Sequence, residues 1–213
     1  MKKAIYLTIF SALILGGCSE KQDTVAVASA VAEQEIPDYY EDYVLNPQVT
    51  DDRTLQNLGQ SKKDAKGEAV VKAVNMNSKA YEIGPVQLTV KESKILQLKP
   101  DYSLIDFYHS YTHEQEFTLV KMFVEISNLS DEDVNFAPVA LLETDKEELK
   151  LWEDDIYLEE LTGTLMAGET KRGNVGFIIE ESKIDSIEIT TSDVFSSHGE
   201  QLAKAKNFTT QFD

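Results

Sequence analysis

The sequence predicts an all-β fold, an antiparallel sandwich or barrel over residues 67–213, preceded by a signal peptide and a flexible tether. Three observations predict it. The chain opens with a charged and then apolar leader. The following residues, up to about residue 66, are acidic and low in complexity. From about Gly67, apolar and polar residues alternate with a period of two and no long helical period appears.

Residues 1–17 have the pattern of a bacterial signal peptide. Lys2 and Lys3 precede the apolar residues 4–15, a run shorter than the roughly 20 residues of a membrane-spanning helix. The run ends in Leu15-Gly16-Gly17-Cys18, which resembles the lipobox of bacterial lipoproteins. The resemblance implies that a diacylglycerol is attached to Cys18 and that the chain is cut before it.

Cys18 suits that chemistry, because a thiolate is nucleophilic enough to accept lipid. It is the only cysteine in the chain, so the exported domain must fold without disulfides. One acyl chain binds a membrane marginally, whereas two or three on one residue anchor a protein firmly. We therefore expect a protein that is lipid-anchored on the extracytoplasmic face of the cell membrane and does not span it.

The charge of the chain limits its partners. It has 20 basic and 38 acidic residues, a net charge of −18 at pH 7. Nucleic-acid binding needs clustered Lys and Arg to contact phosphates, and acidic proteins are repelled by phosphate-rich polymers. We therefore exclude nucleic acid as a partner and expect a solvated acidic coat, which leaves cationic partners or divalent ions as ligands.

Residues 18–66 are predicted to be the lipidated cysteine and a flexible acidic linker, because acids repel one another and large aliphatic side chains are few. Within this linker, Tyr39, Tyr40 and Tyr43 alternate with acids. They are candidates for contact with a partner protein; the alternatives are a solvated spacer or a segment that packs on the domain.

The alternating pattern defines the domain over residues 67–213. In the segment 118–126, Val120, Met122, Val124 and Ile126 share one face while the other face carries Lys121 and Glu125, as in a strand with one buried face. We expect a fragment that starts near Gly67 to fold by itself. The strands are predicted at residues 69–74, 86–91, 118–126, 139–143, 173–179 and 184–190.

Three segments of the domain carry a family resemblance. They are residues 81–90, residues 123–136 with the turn at Asn128, Ser130 and Asp131, and residues 165–177 with the turn at Gly168. Together they resemble the immunoglobulin-like domain of Gram-positive surface lipoproteins, a domain of unknown function related in fold to a mycobacterial secreted immunogenic protein. The resemblance implies an immunoglobulin-like β-sandwich and brings no active-site residues. Residues 99–116 depart from the pattern as an insert-like loop.

Candidate catalytic groups are few. His109 and His113 are spaced i, i+4, but the pattern lacks the glutamate of the zinc-protease sequence His-Glu-x-x-His, so they indicate two loop histidines more strongly than a metal site. Asp193, Ser196 and His198 lie within one turn, where a catalytic triad is hard to form. We therefore predict no enzyme, no catalytic residues and no cofactor.

Residues 143–160 contain nine acids around Trp152. They lack the ligand order of an EF-hand, so we expect a solvated surface and no defined metal site, with weak calcium binding as the alternative. Trp152 is a further candidate for contact with a partner, or else part of the core edge.

These observations favour a binding or structural module that contacts an envelope or secreted protein. The alternative is an envelope enzyme or metal-dependent protein that uses the His109 and His113 region. A substrate-binding protein of a transporter is disfavoured, because such proteins usually have two α/β lobes and this chain shows no alternation of strands and helices.

Overall fold

The computed structural model describes residues 35–212. The predicted signal peptide, Cys18 and the tether up to residue 34 lie outside these residues. The described part is built from β-strands, with a short α-helix, α1 (Ile105–Tyr108), and short 3₁₀ turns between them. Its strands are β1 (Ser61–Asp64), β2 (Gly67–Asn75), β3 (Lys79–Ile83), β4 (Val86–Pro100), β5 (Phe117–Asn128), β6 (Val134–Phe136), β7 (Leu141–Thr144), β8 (Leu149–Leu151), β9 (Gly163–Leu165), β10 (Thr170–Ile179), β11 (Ser186–Thr190), β12 (Val194–Ser196), β13 (Gln201–Ala203) and β14 (Asn207–Gln211).

The strands form one large and two small antiparallel sheets. The large sheet has the order β1-β2-β4-β5-β10, and β3 also pairs with β4. β3 and β2 occupy successive halves of the same edge of β4, because β3 pairs with residues 86–90 and β2 with residues 93–100. The small sheets have the orders β14-β11-β7-β8 and β13-β12-β6-β9.

The main core lies between the large sheet and the two small ones. The large sheet contributes the alternating side chains of β4 and β5, among them Leu88 and Met122, each about 1% exposed. The small sheets face them with buried residues such as Phe136, Leu142 and Ile187. Burial of apolar area at this interface is what holds the layers together. The prediction of an all-β antiparallel sandwich is thus confirmed, while the finer immunoglobulin-like assignment stays a prediction from the resemblance.

The opposite face of the large sheet is also covered. Leu96, Leu98 and Leu119 on this face pack in a second cluster with Val49 and Leu55, which come from the segment before the first strand. We call residues 35–60 the strap. The strap lies across the sheet, and its first turn is the 3₁₀ helix Asp38–Tyr40.

This arrangement corrects two predictions. Residues 35–66 were predicted to be part of a flexible linker, but they form the strap and β1 and are packed on the domain, so the folded part includes them and does not start at Gly67. Lys121 was predicted on a solvated face, but it is 1% exposed. Because the strap is rich in acids, its composition did not indicate that a few of its apolar residues are buried against the sheet.

The six predicted strands are all present, each within or overlapping an observed one. Of the insert-like residues 99–116, the first two end β4, and residues 101–116 form the connection between β4 and β5 and contain α1.

Candidate functional site

The tyrosines of the strap contact the chain's own sheet. The rings of Tyr39, Tyr40 and Tyr43 lie 5.7, 4.2 and 5.4 Å from the ring of Phe123 on β5. The hydroxyls of Tyr39 and Tyr40 each donate a hydrogen bond of 2.6 Å to Glu92. Of the alternatives open for these residues, the structure supports a segment that packs on the domain. They hold the strap to the sheet.

Beneath these rings lies a buried ionic cluster of Asp52, Glu92, Lys94 and Lys121, each at most 4% exposed. Lys121 Nζ lies 2.6 Å from Asp52 Oδ1 and 3.3 Å from Glu92 Oε1. Lys94 Nζ lies 3.0 Å from Asp52 Oδ2 and 2.8 Å from Glu92 Oε1. The two positive and two negative charges balance, which is the condition for keeping charges in a low-dielectric interior.

The register of the sheet explains why the strap is needed. Lys94 and Lys121 are direct cross-strand partners on β4 and β5, and like charges in that position repel. Asp52 of the strap binds both ammonium groups. Burial alone would raise the pKa of Asp52, but Lys121 and Lys94 outweigh it and hold that pKa below its ordinary value.

A β-bulge places Glu92 in the cluster. The register between β4 and β5 shifts between Val90 and Glu92, so the extra residue turns the next side chains to the opposite faces. As a result Val90 points into the main core and Glu92 points toward the strap. The sequence signal for this cluster was a pair of charges, Glu92 and Lys94, set directly before the apolar run from Ile95 to Leu96.

A second contact links the strap to the loop after β8. Tyr43 Oη donates to Glu159 Oε1 at 2.6 Å and accepts from Asn174 Nδ2 of β10 at 2.6 Å. Asn46 Nδ2 donates to the carbonyl oxygen of Tyr157 at 2.9 Å. The backbone amide of Asn174 donates to Glu159 Oε2 at 2.7 Å. These bonds fix the position of the loop that carries the exposed residues described next.

Trp152 lies at the surface, 51% exposed, in a 3₁₀ turn that follows the edge strand β8. It borders a groove of about 570 Å³, which we call the Trp152 groove. The apolar lining of the groove consists of Trp152, Leu158, Leu161 and Val175, and its acidic lining of Glu153, Asp155, Glu159 and Glu160.

The loop that forms this groove is fixed to the sheet by buried residues and a backbone hydrogen bond. Ile156 and Tyr157 are buried, and the amide of Ile156 donates to the carbonyl oxygen of Gly176 at 2.9 Å. Leu158 and Glu160 have φ values of 54° and 53°, in the left-handed region that costs free energy for residues other than glycine. The backbone thus turns Leu158 outward, where it is 62% exposed.

Asp155 has an unusual environment in this loop. Its Oδ1 accepts hydrogen bonds from the amides of Gly176 at 2.8 Å and Tyr157 at 3.1 Å. Burial, together with the negative charge of Glu159, raises the pKa of Asp155 to about 6, against the lowering effect of those amides. The side chain has no cationic partner within residues 35–212.

His109 and His113 lie close together and line one cavity. His109 follows α1, and its ring lies 5.5 Å from that of His113, centroid to centroid. Of the proposed triad, Ser196 Oγ accepts from the backbone amides of His198 and Glu200, while Asp193 accepts from Gln201 and the amide of Ala205. The serine and the aspartate are therefore each engaged in turn geometry and not with the imidazole of His198.

Three of the acids in residues 143–160 bind different partners. Lys146 pairs with Asp145 at 2.8 Å, Lys150 pairs with Glu148 at 3.0 Å, and Asp154 accepts from the amide of Leu151. Across the described chain, no three His, Cys, Asp or Glu side chains are grouped so that they would hold a metal ion. Between residues 35 and 212, no helix has both the length and the apolar character to cross a membrane.

No protein-family model matches the sequence. Among solved structures, the chain is similar to a functionally unknown protein from Listeria monocytogenes (14% identity, 68% of this chain and 87% of that one, TM-score 0.49). It is also similar to the candidate lipoprotein YcdA of Bacillus subtilis (18% identity, 64% of this chain and 39% of that one, TM-score 0.40).

A much closer similarity is to a whole protein. Over an alignment of 237 positions that spans all of both chains, the sequence is 42% identical to the uncharacterised protein YdhF of Bacillus subtilis. That identity over the full length exceeds what a shared fold alone requires, so the chain belongs to the same family as YdhF.

Proposed function

We propose that this protein is a lipid-anchored binding module on the extracytoplasmic face of the membrane, and that its contact surface surrounds Trp152. The observation that carries the proposal is the exposure of large apolar side chains in one short stretch. Leu149, Leu151, Trp152 and Leu158 are each more than half exposed, although acids surround them. Large apolar side chains grouped at a surface and rimmed by polar residues are typical of protein contact sites.

The support for the anchor comes from the sequence. The leader and the lipobox at Cys18 imply export and lipidation. The 17 residue-to-residue steps from Cys18 to Glu35 span at most about 60 Å when fully extended. A domain held at that distance reaches neighbouring envelope proteins and proteins secreted past the membrane, which are the partners we propose.

The support for binding in place of catalysis comes from the described side chains. The serine and aspartate of the candidate triad are bonded to turn groups, and the two histidines of the loop after α1 lack an orienting acid at hydrogen-bond distance among residues 35–212. The Trp152 surface has the opposite character, because it is held firmly and leaves apolar side chains uncovered.

A photo-crosslinking amino acid at position 149 tests the proposal in intact Bacillus subtilis cells that express the protein. We expect one discrete crosslinked species, identified by mass spectrometry, that is lost when Trp152→Ala is added. The same amino acid at position 202, where Leu202 is exposed on β13, is the control and should not give that species. Identical products from both positions would contradict the proposal.

A further inference from the structure

We infer that the Trp152 groove receives a lysine side chain from a basic polypeptide; this inference rests on the binding function proposed above and names the class of its partner. The groove combines two surfaces. Its apolar lining includes the Trp152 ring and the side chains of Leu158 and Leu161. Its acidic lining includes Glu153 and Glu160, both of which are exposed.

A lysine side chain also combines an apolar part and a charged part. Its four methylenes bury well along apolar surface while its ammonium group stays at a polar edge. A cation also binds favourably over the face of a tryptophan ring, the strongest of the aromatic side chains in this interaction. One lysine of the partner would thus contact both the apolar and the acidic side chains that line the groove.

The carboxylates of the groove have no internal cation. Nearby basic side chains are engaged elsewhere: Lys150 pairs with Glu148, Arg172 with Glu125, and Lys171 donates to the backbone carbonyl oxygens of Glu160 and Thr164. Within residues 35–212 no ion pair involves the four groove acids. The negative potential of the groove is therefore available to an external cation.

Asp155 provides a second indication. Its ionised form is costly in the folded protein, because burial raises its pKa and only backbone amides bind it. Carboxylates with raised pKa values in a cleft are concentrated at functional sites. A cation in the groove would offset that cost.

Charge and size favour a polypeptide as the source of the cation. The chain has a net charge of −18, which attracts basic proteins and speeds their association. A groove of about 570 Å³ is far larger than one metal ion, and the groove acids are not grouped as metal ligands in the part of the chain that the structure describes.

The test uses Trp152 as its reporter, since it is the only tryptophan in the chain. The full-length protein in nonionic detergent is titrated with acetylated and amidated hexalysine in physiological salt, and the tryptophan emission and its quenching by acrylamide are recorded. We expect a saturable change in emission and reduced quenching. The variant Glu153→Gln/Asp155→Asn should bind at least tenfold more weakly.

The matched control is Asp131→Asn/Glu132→Gln, which removes two exposed charges in the turn between β5 and β6 and should change the affinity less than twofold. An equal loss in both variants would reduce the effect to overall charge and overturn the inference. A response to tetramethylammonium chloride without one to hexalysine would assign the groove to small quaternary ammonium ligands and also overturn it. If hexalysine fails to bind while the crosslink at position 149 persists and depends on Trp152, the binding function stands and only the lysine specificity falls.

Discussion

Asp52 links the strap to the two buried lysines of the large sheet. It is the only acid of the strap that reaches Lys94 and Lys121, two facing lysines that would otherwise share Glu92 alone. Sequence reasoning placed Lys121 on a solvated face, because alternation in β5 is satisfied by one buried face and says nothing about what covers the other. Only the three-dimensional path of the strap supplies that information.

We expect Asp52→Ala to lower the free energy of unfolding by about 3–5 kcal/mol, because removal of one partner leaves a buried charge uncompensated. The measurement is chemical denaturation at pH 7. Lys146→Ala is the control, since it removes an exposed ion pair with Asp145 and should leave the midpoint unchanged. Equal midpoints for Asp52→Ala and the wild type would refute the proposed role of the cluster.

The pH dependence of Asp155 gives a second test at this scale. Its folded-state pKa of about 6 lies above its ordinary value of 3.8, so its ionised form destabilises the native state above about pH 6, and the penalty disappears below about pH 4. Asp155→Asn keeps the oxygen that accepts from Gly176 and Tyr157. We expect this variant to melt at a higher temperature than the wild type at pH 8, by on the order of 2 kcal/mol in stability, and at the same temperature at pH 4. Thermal melts followed by circular dichroism at both pH values decide it, and a variant that is less stable at pH 8 would contradict it.

At the scale of elements, the longest strands are the ones whose alternation is clearest in the sequence. β4, β5 and β10 have ten or more residues, and their periodicity is visible. β6, β8, β9, β12 and β13 have three residues each, too few to establish a period. The strap was missed for a different reason, because it is irregular and acidic and is bound by a few buried side chains such as Tyr40, Val49 and Leu55.

The strap makes a prediction about truncation that reverses the expectation from sequence. A fragment of residues 67–212 would expose the second apolar cluster and leave Lys94 and Lys121 facing each other with Glu92 alone. We expect this fragment to lack a cooperative thermal transition, whereas residues 35–212 should show one with a β-type spectrum. Cooperative melting of the shorter fragment at the same temperature as the longer one would show that the strap is dispensable.

At the scale of the whole molecule, a predicted export signal precedes a sandwich that is covered on one side by its own strap and carries exposed apolar side chains around Trp152. The sequence predicted the all-β fold and the likeness to surface lipoproteins from local patterns. Among the four side chains proposed as partner contacts, only Trp152 is substantially exposed, because burial of Tyr39, Tyr40 and Tyr43 depends on contacts distant in sequence. Composition also could not predict the groove, because Leu158 and Leu161 of the loop come together with Val175 of β10 only in the folded chain.

We propose that this module is anchored to the membrane by lipid at Cys18, and the other proposals depend on that location. The most direct measurement is metabolic labelling of Bacillus subtilis cells expressing the protein with an alkyne fatty acid, followed by click detection on the purified chain. We predict strong labelling of the wild type in the membrane fraction, and no labelling of Cys18→Ala, which should accumulate unprocessed or be released. Equal labelling of the wild type and Cys18→Ala would contradict the account.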